Sequence, residues 1–398
     1  MRRTRIGLAA LCAVALALTT ATAPAAIARP EHRGELVSTT LITELNRAEA
    51  ADYVATYGFD PARARHGVRL YLVEYRTVDV DGAPTTASAL AVLPTGGARH
   101  LRPVAWLHGT RADREDTGSR ADNLDRGAAV LFAAAGYATA APDYLGLGTG
   151  PGPHPYVTTE PTVTASVDSL RATRELAARS GRRLDRDVLV TGFSQGGQAA
   201  MFVGRALRDH ADRHFRLGAI APISGPHDIS GAELPAALDG RLDGRSAAFY
   251  LSYAIVAWNR EYGLYDDPAE AFRAPFDRTV APLFDGTHAE PEIFAALPAG
   301  PHELFTDEFL ALLAAPSGAM KRAVEDNDGA CEGWRPRVPV RLYTATGDRD
   351  VAIENSRNCQ RFLADSGADA ELVDLGEVDH FTAGATAVPL VLDWFERT

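Results

Sequence analysis

The sequence predicts a mixed α/β fold with a mostly parallel central sheet and helices on both faces. Short runs of β-branched and apolar residues alternate with longer segments. In the longer segments apolar residues recur about every 3.6 positions, as on one face of a helix. This alternation is typical of parallel sheets, because consecutive parallel strands need a crossover connection that is usually a helix.

The predicted elements are distributed along most of the chain. The strands are expected at Leu70–Arg76, Ser88–Leu93, Val104–Leu107, Ala138–Ala141, Val188–Val190, Leu217–Ile223, Val340–Thr344 and Ala370–Leu375. The helices are expected at Asp122–Ala135, Thr164–Arg179, Gln195–Arg208, Glu354–Ser366 and Gly384–Arg397.

Composition narrows the class of protein. The chain has 398 residues, is 46% hydrophobic and 23% charged, and carries a formal net charge of −12. These values are ordinary for a globular protein with a sizeable core. An acidic chain is a poor partner for nucleic acid or an anionic membrane surface, so we expect a small-molecule substrate and no nucleic acid.

The first residues have the pattern of an export signal. Arg2, Arg3 and Arg5 precede the apolar run Ile6–Leu18, and Ala26-Ile27-Ala28 offers a small-residue cleavage site. The apolar run is too short to span a membrane comfortably, and no later segment is long and apolar enough. The sequence therefore predicts a secreted, extracellular protein without a stable membrane anchor. Whether export uses the Sec or the twin-arginine route stays open.

The alternation of elements also predicts the domain organisation. After a signal peptide at residues 1–28, we expect an N-terminal helical segment at 29–65. The sheet domain should occupy 66–225 and 336–398. The stretch 226–335 is helical in pattern and too long for a loop, so it is expected to form a helical lid inserted between two strands.

The segment Gly192-Phe193-Ser194-Gln195-Gly196 is the strongest chemical signal. It follows an apolar strand and opens a predicted helix. A serine on such a strand-to-helix turn presents its hydroxyl above the sheet, and the flanking glycines allow the turn to be tight. This context predicts that Ser194 is the nucleophile of a serine hydrolase with the α/β-hydrolase fold.

A serine nucleophile needs a base, which in this fold follows an acid in chain order. His380 lies after the last predicted strand, in what we expect to be a short loop before the final helix. The acid should follow Val340–Thr344, where Asp348 and Asp350 compete. Asp350 is favoured, because Asp348 could instead bend the turn with its side chain. Asp379 is a weaker alternative.

Two backbone N–H groups should stabilise the developing oxyanion. One is expected from Gln195, directly after the nucleophile. The other is expected from Gly109 or Thr110, in the loop that follows the strand Val104–Leu107.

The chain resembles secretory lipases and related bacterial secreted esterases. The resemblance covers most of residues 65–398 and is faint in the insertion. It is carried by the segments His108–Thr110, Gly136-Tyr137, Pro142–Gly148, His154–Tyr156 and Gly192–Gly197. It implies an α/β-hydrolase with a helical lid that acts on carboxylic esters without a cofactor. Ser194, Asp350 and His380 fall where that family has its triad.

The remaining cysteines and the metal motifs give simpler expectations. Once residues 1–28 are removed, Cys331 and Cys359 form an even pair, which in an exported chain usually forms a disulfide. No grouping of Cys or His has zinc spacing, and the acidic segment Glu325–Gly329 lacks the full pattern of a calcium loop. We therefore expect neither a metal nor a cofactor.

The insertion is rich in aromatic residues, most of which should build its core. Tyr250, Tyr253 and Trp258 are candidates for an apolar substrate pocket. An esterase or lipase is the favoured function, acting on a small-molecule ester or a lipid.

Two alternatives remain. A peptidase on the same fold would need acidic residues for a peptide amine, and Glu261, Asp266 and Asp267 are candidates. A non-catalytic binding protein is disfavoured by the complete set of Ser, His and Asp. The sequence does not define the oligomeric state.

Overall fold

A nine-stranded sheet forms the centre of residues 32–398, the part of the chain that this computed structural model describes. The strands in chain order are β1 (Leu36–Leu45), β2 (Val68–Val78), β3 (Pro84–Pro94), β4 (His100–Leu101), β5 (Pro103–Leu107), β6 (Ala138–Pro142), β7 (Arg183–Leu184), β8 (Asp187–Phe193), β9 (Arg216–Ile223), β10 (Val340–Thr344) and β11 (Ala370–Asp374). The short strands β4 and β7 pair separately from the large sheet.

The order of strands in the large sheet is β1-β2-β3-β6-β5-β8-β9-β10-β11. From β6 to β11 neighbouring strands are parallel, whereas β1, β2 and β3 form an antiparallel edge. The mostly parallel sheet expected from the sequence is therefore confirmed. The carboxyl ends of β5 and β8 meet at its centre, where ligands bind in open α/β sheets.

Helices cover both faces of the sheet and fill the stretch between β9 and β10. They are α1 (Arg47–Ala55), α2 (Leu124–Ala134), α3 (Thr159–Arg179), α4 (Gln195–Arg208), α5 (Leu234–Asp239), α6 (Gly244–Tyr262), α7 (Pro268–Ala271), α8 (Phe276–Leu283), α9 (Glu290–Ala296), α10 (Pro301–Leu304), α11 (Asp307–Ala314), α12 (Gly318–Asn327), α13 (Glu354–Asp365) and α14 (His380–Phe395). No helix in residues 32–398 combines the length and apolar character needed to cross a membrane.

Strand β5 shows why the sheet needs two layers of helices. All five of its residues are buried. Because successive side chains of a strand point to opposite faces, Ala105 and Leu107 pack with α3 and α4, whereas Val104 and Trp106 pack with α2 and α14. A strand that is apolar on both faces is stable only when helices cover both.

The insertion between β9 and β10 has a core of its own. Helices α5–α12 bury a cluster of mainly aromatic and aliphatic side chains, among them Phe249, Tyr253, Phe284 and Phe305. Most of the aromatic residues in this stretch therefore stabilise the insertion, as expected.

The predicted N-terminal helical segment is wrong in its first part. Residues 36–45 form the edge strand β1, and only Arg47–Ala55 is a regular α-helix. The reason lies in the sequence LVSTTLITEL, whose β-branched residues favour an extended backbone that pairs with β2. The predicted signal peptide lies outside the described residues.

The expected pairing of the two cysteines is present. Cys331 and Cys359 are bonded, with their Cα atoms 5.1 Å apart, and both are fully buried. The bond joins the end of the insertion to helix α13.

Loss of this disulfide should lower stability. The bond closes a loop across a sequence separation of 28 residues, for which the loss of chain entropy predicts about 3 kcal/mol. We expect the double variant Cys331→Ser/Cys359→Ser to unfold at a lower urea concentration than the wild type. A reductant should shift the wild type to the same value and leave the variant unchanged. An equal midpoint for both proteins without reductant would contradict the prediction.

Candidate active site

Ser194 occupies a strained turn between β8 and α4. Its backbone has φ 58° and ψ −120°, which side-chain-bearing residues rarely adopt. A Cβ at Gly196 would overlap the carbonyl oxygen of Leu107, and one at Gly192 would overlap that of Gly196. The turn is therefore possible only with glycine on both sides of the serine.

His380 is the first residue of α14 rather than part of a loop, and Asp379 caps the helix through the N–H of Thr382. The capping explains the difference from the prediction, because an Asp directly before a helix stabilises its first turn. The imidazole of His380 is buried, and its centre lies 4.5 Å from that of the Phe193 ring. His380 is thereby held beside the residue that precedes the serine.

The acid that contacts His380 is Asp348. Its Oδ2 lies 2.7 Å from Nδ1 of His380, and both side chains are buried. A proton on Nδ1 leaves the lone pair on Nε2, which has no hydrogen-bond partner among the described residues. The assignment of this role to Asp350 was wrong.

The error came from treating two roles of Asp348 as alternatives. Its Oδ1 accepts the N–H groups of Asp350 and Val351, both at 2.9 Å, and so bends the turn as the sequence suggested. Its Oδ2 is free to bind His380. A carboxylate has lone pairs for both, and the turn that it makes directs Asp350 away from the imidazole, toward a cavity lined by the insertion.

The loop after β5 lies against the serine. A Cβ on Gly109 would be 3.4 Å from Cβ of Ser194, so the backbone at this position lies beside the serine with room for little more than a hydrogen atom between them. Nδ1 of the His108 ring lies 2.6 Å from the carbonyl oxygen of Gly109 and forms a hydrogen bond with it. The side-chain hydroxyl groups of Thr110 and Tyr156 form another hydrogen bond at 2.7 Å. These contacts fix the conformation of the loop. Gln195 opens α4, where backbone N–H groups lack acceptors within the helix.

A buried pair, Gln195 and His154, was not predicted as part of the site. Nδ1 of His154 donates to the carbonyl oxygen of Leu145 at 2.8 Å, so Nε2 must accept from Nε2 of Gln195 at 3.2 Å. Burial lowers the pKa of His154 to about 3, which keeps the ring neutral. The arrangement fixes the orientation of the Gln195 amide, whose Oε1 has no partner among the described residues.

A narrow, mainly apolar cavity of about 80 Å³ opens beside Ser194. The predicted pocket residues Tyr250 and Trp258 line it, together with Tyr156. Tyr253 was predicted wrongly. It lies behind Tyr156, with ring centres 4.1 Å apart and planes nearly parallel, and it belongs to the core of the insertion.

Two carboxyl groups line the same cavity, those of Glu233 and Asp350. Burial is the main cause that raises the pKa of both, that of Glu233 to about 8. Glu233 was not predicted, because no local motif marks it. The acidic residues named for a peptide amine, Glu261, Asp266 and Asp267, do not line this cavity in residues 32–398.

The order of the strands and the placement of these residues are those of the α/β-hydrolase fold. Solved structures agree with this assignment. The chain matches the rice cell wall degrading esterase LipA from Xanthomonas oryzae with a TM-score of 0.81 and 27% identity, over 91% of this chain and 98% of that one. A protein from Legionella pneumophila matches with a TM-score of 0.83 and 26% identity, over 91% and 97% of the two chains.

A more distant match supports the fold alone. Lipase A from Candida antarctica in its closed state has a TM-score of 0.63 at 15% identity, over 88% of this chain and 79% of that one. No protein-family model matches the chain, and no curated protein matches it by sequence. The resemblance to lipases and esterases therefore rests on solved structures.

Substitution of Gly196 should test the packing of the serine turn. We expect Gly196→Ala to destabilise the protein by about 3 kcal/mol, because the new methyl group would meet backbone that cannot move aside. Gly300→Ala is the matched control, since a Cβ there has its nearest neighbour at 3.9 Å. Urea unfolding followed by circular dichroism measures both, and equal losses would contradict the account of the turn.

Proposed function

We propose that the protein is a secreted serine hydrolase that cleaves carboxylic esters through Ser194, His380 and Asp348. The observation that carries the proposal is the arrangement of Ser194 on a strained strand-to-helix turn beside a buried imidazole whose Nδ1 is bound to a carboxylate. This arrangement supplies a nucleophile, a base and a group that holds the base in the correct tautomer.

In the first half of the reaction, Nε2 of His380 takes the proton of the Ser194 hydroxyl as Oγ attacks the ester carbonyl carbon. Asp348 stabilises the imidazolium through Nδ1 and remains ionised. The imidazolium then protonates the departing alcohol, and the acyl group is left on Ser194. In the second half, water attacks the acyl carbon while His380 takes its proton. The proton then returns to Oγ of Ser194, and the carboxylic acid is released.

The oxyanion of each tetrahedral intermediate is assigned to the backbone N–H groups of Gln195 and of Thr110 or Gly109. The contact between Gly109 and Ser194 supports this assignment, because it brings the loop to the side of the serine. The N-terminus of α4 adds a partial positive charge at the same place. Donors fixed in advance stabilise the charge without reorganisation during the reaction.

Similarity to a solved structure supports the substrate class, and the disulfide supports the location. An esterase is among the structures that match nearly the whole chain, at 27% identity. The buried disulfide is of the kind that exported proteins keep. The proposed mechanism uses only side chains and backbone N–H groups of the described residues.

Ester turnover should depend on Ser194. We expect the wild type to hydrolyse p-nitrophenyl esters and to be labelled by a fluorophosphonate, and Ser194→Ala to lose both, with a fall in kcat of at least about 10³-fold. A series from acetate to palmitate gives the preferred chain length. Aminopeptidase and dipeptidyl substrates are measured in parallel. Cleavage of peptides with little ester turnover, or ester turnover that survives in Ser194→Ala, would contradict the proposal.

The choice of acid can be tested with paired substitutions. Asp348→Asn should lower kcat by about 10⁴-fold, since an amide favours the wrong imidazole tautomer. Asp350→Asn should cost at most about tenfold, because this side chain does not bond His380. Steady-state kinetics with one short ester, after a check of the urea midpoints, compares the two. A larger loss of kcat in Asp350→Asn than in Asp348→Asn would indicate that Asp350 is the acid.

A further inference from the structure

The cavity beside Ser194 is lined by acidic residues and, within residues 32–398, by no basic ones. Glu233 and Asp350 contribute carboxyl groups to it, whereas none of the described residues that line it is Lys, Arg or His. Carboxyl groups in a largely apolar cavity are costly unless they are paired. Asp350 interacts with the hydroxyl of Ser246, but no described residue of the cavity wall supplies a cation, so a cationic ligand would be the charge partner of these carboxyl groups.

Glu233 is held so that one of its oxygens is available. Its Oε2 accepts the side-chain amide of Asn355 at 2.6 Å and the N–H of Ala352 at 3.2 Å. Its Oε1 bonds no group in the described part of the chain, although Glu233 lines the cavity. The carboxyl group is therefore anchored to helix α13 and its preceding loop through one oxygen, and the other oxygen remains for a ligand.

Gln195 adds a buried hydrogen-bond acceptor to the cavity, independently of the carboxyl groups. The residue is 3% exposed and lines the same cavity, and its Oε1 has no hydrogen-bond partner in the described residues. Since its Nε2 must donate to His154, the unbonded atom is the amide oxygen. Because buried acceptors are nearly always hydrogen-bonded, this oxygen is suited to accept a donor from a ligand.

Aromatic rings complete the wall. Tyr156, Tyr250 and Trp258 all line the cavity. The faces of such rings attract ammonium groups, most strongly where water is excluded. Two carboxylic acids, an amide and three aromatic side chains thus line one small space beside Ser194.

We propose that this cavity binds an ammonium group carried by the acyl or the alcohol part of the ester, with Glu233 and Asp350 as the residues that determine this specificity. The inference rests on the proposed ester hydrolysis at Ser194 and names its substrate class. Neutral esters remain substrates, but a cationic group at the right distance from the carbonyl carbon is preferred.

The ionisation of Glu233 gives the proposal a second consequence. Burial raises the pKa of Glu233 to about 8, and the neighbouring charges of Asp348 and Asp350 act in the same direction. Without a cation beside it, this carboxyl is therefore mainly neutral at pH 7. An ammonium group that binds beside it lowers its pKa, so that binding at pH 7 releases a proton.

The test uses pairs of esters that differ in charge and match in shape. The pairs are p-nitrophenyl 4-(trimethylammonio)butyrate with 5,5-dimethylhexanoate, p-nitrophenyl 6-aminohexanoate with heptanoate, and choline butyrate with 3,3-dimethylbutyl butyrate. We expect the wild type to favour the cationic member of at least one pair by tenfold or more in kcat/KM. Glu233→Gln and Asp350→Asn should each reduce that ratio at least fivefold. Glu261→Gln, a change to an acidic residue of α6 outside the cavity wall, should leave it unchanged.

A preference for the neutral member in every pair would overturn the inference, as would a cationic preference that survives in both cavity variants. If neutral esters are hydrolysed and no cationic preference exists, ester hydrolysis stands and only this inference fails. A readout without turnover is calorimetry of each of the three cationic esters binding to Ser194→Ala at pH 7, in buffers of different ionisation enthalpy. Binding of at least one of them with proton release supports the inference, and absence of binding by all three contradicts it even if the proposed hydrolysis fails.

Discussion

The close contact between the end of β5 and the turn at Ser194 is the constraint on which the rest of the site depends. These neighbouring strands are in register, with Leu107 opposite Gly192, and Gly196 packs directly on the carbonyl group of Leu107. Because no side chain fits between them, the loop after β5 is brought close to Ser194. The strained backbone of Ser194 persists because both neighbouring strands, which are buried on both faces, hold it.

Polar contacts join the insertion to the loop that follows β5. Arg111, next to Thr110, pairs with Asp125 at 2.6 Å, and Glu290 of the insertion lies 3.9 Å from the same guanidinium. The Tyr253 hydroxyl donates to the carbonyl oxygen of Arg111 at 3.2 Å. Tyr253, although it does not line the cavity, thus connects the core of the insertion to the loop that faces the serine.

The parts of the molecule that could be predicted from the sequence are those with a local signal. The strands around Ser194 are apolar on both faces and flanked by turn residues, so their positions, and that of α4, follow from the pattern. The choice between Asp348 and Asp350 could not be made in this way. Both belong to one turn, and only the position of α14 decides which carboxylate meets His380.

Other differences have a similar origin. Glu233 lies in a short irregular helix, and its importance arises from contact with α13, more than a hundred residues further along the chain. Strand β1 is half-exposed at the sheet edge, so its pattern lacks the apolar run that marks the inner strands. Sequence patterns report the periodicity of a segment, whereas these features depend on which distant segment it packs against.

Helix α13 secures both ends of the insertion. At the entrance, Asn355 accepts the N–H of Asp228 at 2.9 Å and Asn358 donates to its carboxylate at 2.6 Å, and at the exit the disulfide binds Cys331 to Cys359. The insertion is therefore anchored to the same helix at its beginning and at its end. Because α13 directly follows the turn that carries Asp348, the insertion and the partner of His380 share one support.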